Sequence, residues 1–121
     1  MVEAELAALA FPGASTVSGP ETLLPPHQVQ AMSMILHELA TNAAKYGALG
    51  AAAGLVTVSW RREGPQQLVL TWREEGGPAT RRPSRSGFGS RMVRQLARQL
   101  RGTIRFEWRS DGLTAELTAV L

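Results

Sequence analysis

From His27 to Tyr46 the apolar residues Val29, Met32, Ile35, Leu36, Leu39, Ala43 and Tyr46 recur at steps of three and four. That spacing predicts a single amphipathic helix with one apolar stripe, which must be covered by something else in the chain. Pro25-Pro26 leads into it, as a first helical turn tolerates, and Gly47 supplies a stop. Beyond residue 54 the period changes from helical to alternating. Val56, Val58 and Trp60 alternate with polar residues over 55–62, and Leu68, Leu70 and Trp72 alternate with Val69, Thr71 and Arg73 over 67–74. Two strands joined by the turn Glu63-Gly64-Pro65-Gln66 are expected. After a polar loop, Met92, Val93, Leu96 and Leu100 carry a second helix over about 90–100, which Gly102 interrupts. Ile104, Phe106 and Trp108 then alternate, Asp111-Gly112 makes a hairpin turn, and Leu113 to Leu121 alternate again. The order helix, hairpin, loop, helix, hairpin predicts an α+β fold: a two-layer α/β sandwich, its mixed, mainly antiparallel sheet carrying helices on one face.

The chain has 121 residues, one domain's worth, and a chain of that size buries enough surface to hold a core unaided. It contains no cysteine, which excludes disulfide scaffolds, thiolate metal sites and cysteine nucleophiles. Two histidines argue against a multi-histidine metal cage. No apolar run reaches the roughly 18 residues that span a bilayer, and no signal-peptide pattern opens the chain. A cytoplasmic domain without membrane contact is therefore expected. Residues 1–10 read as a short amphipathic helical stub or linker from something upstream. Residues 11–26 read as irregular, with extended pieces near Ser15–Ser18 and Thr22–Leu24.

Charge is unevenly spread. Residues 1–60 sum to −3 and residues 61–121 to +6, and seven arginines with no acid lie between Gly76 and Arg101. Such a cluster suggests an anionic partner, and arginine suits bidentate recognition of phosphate or carboxylate.

Three segments carry chemistry. On the first helix, Glu38, Asn42 and Lys45 fall on the side away from the apolar stripe, at about 100° per residue. A carboxylate and an amide oxygen one turn apart can hold a hard cation, and a lysine one turn further can reach phosphate. The competing reading is a solvated face, although Thr41, Asn42 and Tyr46 are mediocre helix formers for that role. Second, Trp72 and Glu74 share one face of a strand end before Gly76-Gly77-Pro78. A carboxylate there can accept from an exocyclic amine, and glycines let a ligand approach the backbone. Third, Gly87-Phe88-Gly89-Ser90-Arg91 opens the second helix, where backbone N–H groups favour an anion. Singly, the second and third segments could be an ordinary turn and an ordinary cap.

In this order, the three segments resemble the nucleotide-binding boxes of bacterial sensor histidine kinases. His37-Glu38-Leu39-Ala40-Thr41-Asn42-Ala43-Ala44-Lys45-Tyr46-Gly47 is similar to the N box. His37, Trp72 and Glu74 match the signature histidine and Trp-x-Glu of the HWE subfamily. Glu74-x-Gly76 resembles the G1 box, with glutamate in place of the more general aspartate, and Gly87 to Arg91 resembles the G2 box. The resemblance covers about residues 14–121 and implies the Bergerat ATP-binding fold of the GHKL superfamily, with residues 11–121 as the catalytic domain and a lid near 78–88.

By position, the resemblance implies that Asn42 binds Mg²⁺ and that Glu38 orients a water of the metal shell or acts as base. It implies that Lys45 contacts phosphate, that Glu74 reads the adenine amine and that Gly76 and Gly77 admit the ring. Gly87, Phe88, Gly89, Ser90 and Arg91 would form the lid hinge and phosphate contacts. Tyr46 either closes the pocket or ends the apolar stripe, and Trp72 either flanks the pocket or belongs to the core. His37 either orients Glu38 or is an ordinary hydrogen-bonded histidine. Arg81, Arg82 and Arg85 either attract triphosphate or solubilise the lid. Nothing in the chain resembles the helical block that bears the phospho-accepting histidine. The expected activity is transfer of the ATP γ-phosphate to a histidine in an upstream dimerisation domain, in cis or in trans, and onward to a response regulator. Two alternatives share the fold: a free-standing serine kinase of anti-sigma-factor type, and a non-catalytic nucleotide-binding module. Nucleic acid is not expected as a partner, since no recognised nucleic-acid motif accompanies the arginines.

Overall fold

The structure is a computed structural model that describes residues 4–9, 16–46, 54–76, 90–110 and 112–121, with the backbone alone at Ala4, Ala8, Lys45, Tyr46 and Ser90. The chain begins with β1 (Ala4–Glu5), a single 3₁₀ turn (Leu6–Ala8), β2 (Thr16–Ser18) and β3 (Leu23–Leu24). The long helix α1 (Pro26–Tyr46) comes next, then β4 (Leu55–Glu63), β5 (Gln67–Glu75), α2 (Ser90–Gln99), β6 (Thr103–Arg109) and β7 (Gly112–Val120).

Five strands form one sheet in the order β2-β4-β5-β7-β6, and β1 pairs separately with β3. The β4–β5 and β6–β7 hairpins expected from the alternating segments are both present, and antiparallel pairing of β5 with β7 joins them. β2 lies parallel to β4, which requires a crossover, and α1 runs in the connection between them. The sheet is thus mixed and mainly antiparallel.

Period-two alternation decides which sheet face is covered. Val56, Val58 and Trp60 of β4, Leu68, Leu70 and Trp72 of β5, and Ala115, Leu117 and Ala119 of β7 are buried in one cluster. From α1 that cluster takes Ala31, Met32, Ile35, Leu36, Leu39, Ala40 and Ala43, from α2 Val93, Leu96 and Ala97, and from the turn directly after it Leu100. The helical stripe read from the sequence is therefore the face that meets the sheet. Burying a leucine of this kind contributes about 1.5–3 kcal/mol, and truncating it costs about 2–5 kcal/mol. On the opposite face Thr57, Ser59, Thr71, Thr114 and Thr118 are half-buried and polar.

Two local expectations differ from the structure. In place of an amphipathic α-helix over the first ten residues, residues 4–8 form a strand that pairs Ala4 with Leu24 and then the 3₁₀ turn. Leu6 is wholly buried in the core, and its amide donates to the Thr22 carbonyl at 2.7 Å. A lone turn with one anchored leucine gains more from this pairing than from a helix too short to hold itself together. At the far end of α2, the residue that breaks the helix is Arg101, at φ 55°, not Gly102. The Arg101 amide donates to the Arg98 carbonyl and the Gly102 amide to the Ala97 carbonyl, both at 2.9 Å, the bond pair of a Schellman cap. Gly102 is needed for a second reason, because a Cβ there would fall on the Thr118 carbonyl of β7.

Candidate functional site

Trp72 and Glu74 are two residues apart on β5, so both side chains point into the layer between sheet and helices. Trp72 is fully buried and Glu74 is 3% exposed. A carboxylate withdrawn from water to this degree requires hydrogen bonds in return. One comes from Trp72, whose indole Nε1–H donates to Glu74 Oε2 at 3.1 Å. The sequence left Trp72 between a core residue and a wall of the pocket. It is a core residue that also holds the carboxylate.

β5 ends directly after Glu74-Glu75, and Gly76 turns the chain with φ 75°. In that left-handed conformation a side chain is disfavoured, which accounts for glycine. Arg73 and Glu75 form an exposed ion pair at 3.1 Å, on the side of the strand away from Glu74.

On α1, Glu38 and Asn42 are one turn apart and both half-buried. They flank the buried stripe of Leu39 and Ala43 and so face neither the core nor open solvent. Lys45 and Tyr46 supply the last turn of α1 as backbone. His37 is exposed, and its carbonyl accepts the Thr41 hydroxyl at 2.9 Å, so Thr41 turns its side chain back on the helix. Among the described residues, no three His, Cys, Asp or Glu side chains cluster to hold a metal ion. An oxygen pair such as Glu38 and Asn42 suits magnesium, which takes few protein oxygens and completes its shell with water and phosphate.

Ser90 opens α2 and Arg91 is exposed in its first turn. Gly77, Gly87, Phe88 and Gly89, together with the lid near 78–88 and its Arg81, Arg82 and Arg85, lie outside the described residues. Two groups stand out among the other arginines. Arg61, Arg73, Arg105 and Arg109 on the strands each pair with a carboxylate, Glu63, Glu75, Glu116 and Glu107 respectively. On α2, Arg94 Nη1 instead donates to the Ile104 carbonyl at 3.2 Å, and its guanidinium lies 5.4 Å from the centre of the Phe106 ring. Arg94 therefore fastens α2 to β6. Among the described arginines of that cluster, Arg94 is thus engaged within the domain.

No protein-family model matches the chain. Relatives of known name do. The chain is 41% identical over 106 residues to a blue-light-activated histidine kinase of Erythrobacter litoralis, covering 85% of this chain and 29% of that protein. A blue-light-activated histidine kinase of Brucella anthropi is likewise 41% identical over 106 residues, covering 84% and 22%. The chain thus spans about a quarter of the length of these relatives. Among solved structures, it resembles the histidine kinase domain of the Erythrobacter litoralis blue-light activated histidine kinase, with a TM-score of 0.72 and 21% identity over 86% of this chain and 49% of that one. The mycobacterial sensor histidine kinase MprB matches with a TM-score of 0.68 and 16% identity, over 91% of this chain and 85% of that one. With a Trp-x-Glu strand end and Glu38 and Asn42 one turn apart on α1, the chain is similar over about 85% of its length to named blue-light-activated histidine kinases, and it has the α+β fold of histidine kinase catalytic domains.

Proposed function

We propose that this chain is the ATP-binding catalytic domain of a bacterial two-component sensor kinase, a domain that takes in residues 4–8 as well as the expected 11–121, since the first strand pairs with β3 and Leu6 is buried in the core. It transfers the γ-phosphoryl group of ATP to a histidine carried outside this chain, in a dimerisation domain presented in cis or in trans, from which a response regulator is charged. No helix among the described residues is long and apolar enough to cross a membrane. We place the domain in the cytoplasm, where ATP is available.

The observation that supports this reading most directly is the buried Glu74 carboxylate at the end of β5, bonded by the Trp72 indole. A buried acceptor beside a glycine turn suits an exocyclic amine on a flat ring, and adenine offers one. Glu38 and Asn42 provide the second half. Asn42 would hold Mg²⁺ through its amide oxygen, and the bound ion would neutralise phosphate charge. Glu38 would orient a water of that shell or accept a proton. Lys45, Ser90 and Arg91 would contact phosphate, with Gly87, Phe88 and Gly89 at the hinge of the lid. Gly76 and Gly77 would admit the base, Tyr46 would border the pocket, and His37 would stand beside Glu38. Phosphoryl transfer needs positioning and charge neutralisation more than covalent help from the protein, and this set of residues supplies both.

Calorimetric titration with a non-hydrolysable ATP analogue and Mg²⁺ tests the reading. The wild-type chain should bind, and the double variant Asn42→Ala, Glu74→Ala should not. Retained affinity in that variant refutes the residue assignments. Transfer to a separate histidine-bearing domain should give an acid-labile phosphoprotein, whereas an acid-stable product would indicate a serine acceptor.

A further inference from the structure

Gly112 and Gly64 both sit at hairpin turns with positive φ, at 147° and 81°, yet their surroundings differ. A Cβ added to Gly64 would meet nothing within 4 Å. One added to Gly112 would fall on the carbonyl oxygen of Glu74, press on its carbonyl carbon and lie 3.3 Å from the Glu75 nitrogen. All three are main-chain atoms, so no flexible side chain can swing aside to make room. Gly112 is itself buried, and it opens β7 opposite Arg109 of β6. Gly64 is a turn glycine, whereas Gly112 also sets a distance. That distance arises from the β5–β7 pairing, in which Arg73 stands opposite Thr114 and the next pairs bring Gly112 alongside Glu74 and Glu75.

Glu74 is thereby fixed at two points. Its carboxylate is held by the Trp72 indole N–H, and its main chain rests against β7 where a side chain would push it away. Any residue larger than glycine at 112 must move the end of β5, and with it the carboxylate, by a sizeable fraction of a Cβ radius. A hydrogen bond between a carboxylate and an amine loses most of its strength over such a displacement.

We propose that Gly112 is a specificity-determining positioning residue for the base of the bound nucleotide. By letting β7 lie directly against Glu74, it sets the reach of the carboxylate and hence the preference for a purine bearing a 6-amino group over one bearing a 6-oxo group. This inference rests on the assignment of Glu74 as the acceptor for the base.

The test compares equilibrium binding of Mg-ATP and Mg-inosine triphosphate to the whole chain. The wild type should favour ATP. Gly112→Ala should lose about tenfold in ATP affinity, the worth of one weakened charged hydrogen bond, while inosine triphosphate affinity stays unchanged, so the ratio falls toward one. Gly64→Ala should keep the wild-type ratio. In a Glu74→Gln background, Gly112→Ala should cost nothing further. Equal weakening toward both nucleotides, or an unchanged ratio in Gly112→Ala, overturns the proposal. If Gly112→Ala is not folded at the assay temperature, Glu74→Asp serves, since it leaves the glycine in place and withdraws the carboxyl by one methylene. The same fall in ratio is expected there, and an unchanged ratio removes the assignment of Glu74 on which the proposal rests and so overturns it. A wild-type chain that binds ATP without preferring it would remove the assignment of Glu74 as well, which separates the two failures.

Discussion

The indole Nε1–H of Trp72 donates to the Glu74 carboxylate at 3.1 Å, and both side chains are buried on the same face of β5. The two signature residues of the strand end are thus one unit, with the tryptophan holding the acid at a set angle. Trp72→Phe keeps most of the ring and removes the donor. The variant should fold with a stability loss of about 1–3 kcal/mol, because a buried carboxylate loses a bond and a small cavity opens. ATP affinity should fall about tenfold, by the same charged hydrogen bond. Urea unfolding and calorimetric titration measure the two effects, and unchanged affinity would reduce Trp72 to a packing residue.

Glu38 and Asn42 stand one turn apart but should fail differently. Asn42→Ala should abolish the Mg²⁺-dependent part of nucleotide binding, seen as equal affinity with and without the metal. Glu38→Gln keeps shape and hydrogen bonding while removing charge. It should leave ATP affinity within about twofold and slow phosphoryl transfer by about a hundredfold or more, the usual scale for losing an acid–base group. Single-turnover transfer to a histidine-bearing domain distinguishes the two variants.

Arg101 occupies the left-handed position of the α2 cap at φ 55°, where glycine is the usual choice. Arg101→Gly should therefore raise stability by about 0.5–1 kcal/mol and the melting temperature by about 3–5 °C. Its cap bonds are made by main-chain atoms and should survive. A melting temperature that falls would mean that the arginine side chain contributes more than its backbone costs.

Trp60 closes the other end of the sheet. Its indole N–H donates to the Pro20 carbonyl at 2.8 Å and so fixes the segment between β2 and β3 to β4. Trp60→Phe should cost about 1–2 kcal/mol in thermal or urea unfolding and leave ATP affinity unaltered, since Pro20 is outside the proposed nucleotide site.

The helices and strands were legible wherever a period persisted. Seven positions at helical spacing located α1 to within a residue, and alternation located both hairpins. The helix expected at the N-terminus failed because ten residues hold too few turns for periodicity to outweigh a strand pairing with Leu23–Leu24. The polar residues of the proposed site stand out in the sequence as a motif, through Glu38, Asn42 and the Trp72-x-Glu74 pair. What no local pattern carries is the pairing of β5 with β7. The hydrogen bond of Trp72 to Glu74 could be suspected from spacing alone, since the two share a strand face. The approach of Gly112 to Glu74 could not, because it links positions 38 residues apart through a register that no turn dictates. Val69 shows the same limit: it lies on the polar face, yet it is 3% exposed, opposite Thr118 and Arg61, the second of which has a side chain long enough to screen it.

The sheet covered on one face only divides its strands by parity. In β4 and β5 the even-numbered positions 56, 58, 60, 68, 70, 72 and 74 are buried, and in β7 the odd-numbered positions 113, 115, 117 and 119. A saturation-mutagenesis map of this domain would show stripes of intolerance two residues apart, their phase reversed in β7, with drift concentrated on the threonine-rich side. A single-residue deletion within β5 would do more harm than most substitutions, because it would send the tryptophan–glutamate pair to the wrong side of the sheet.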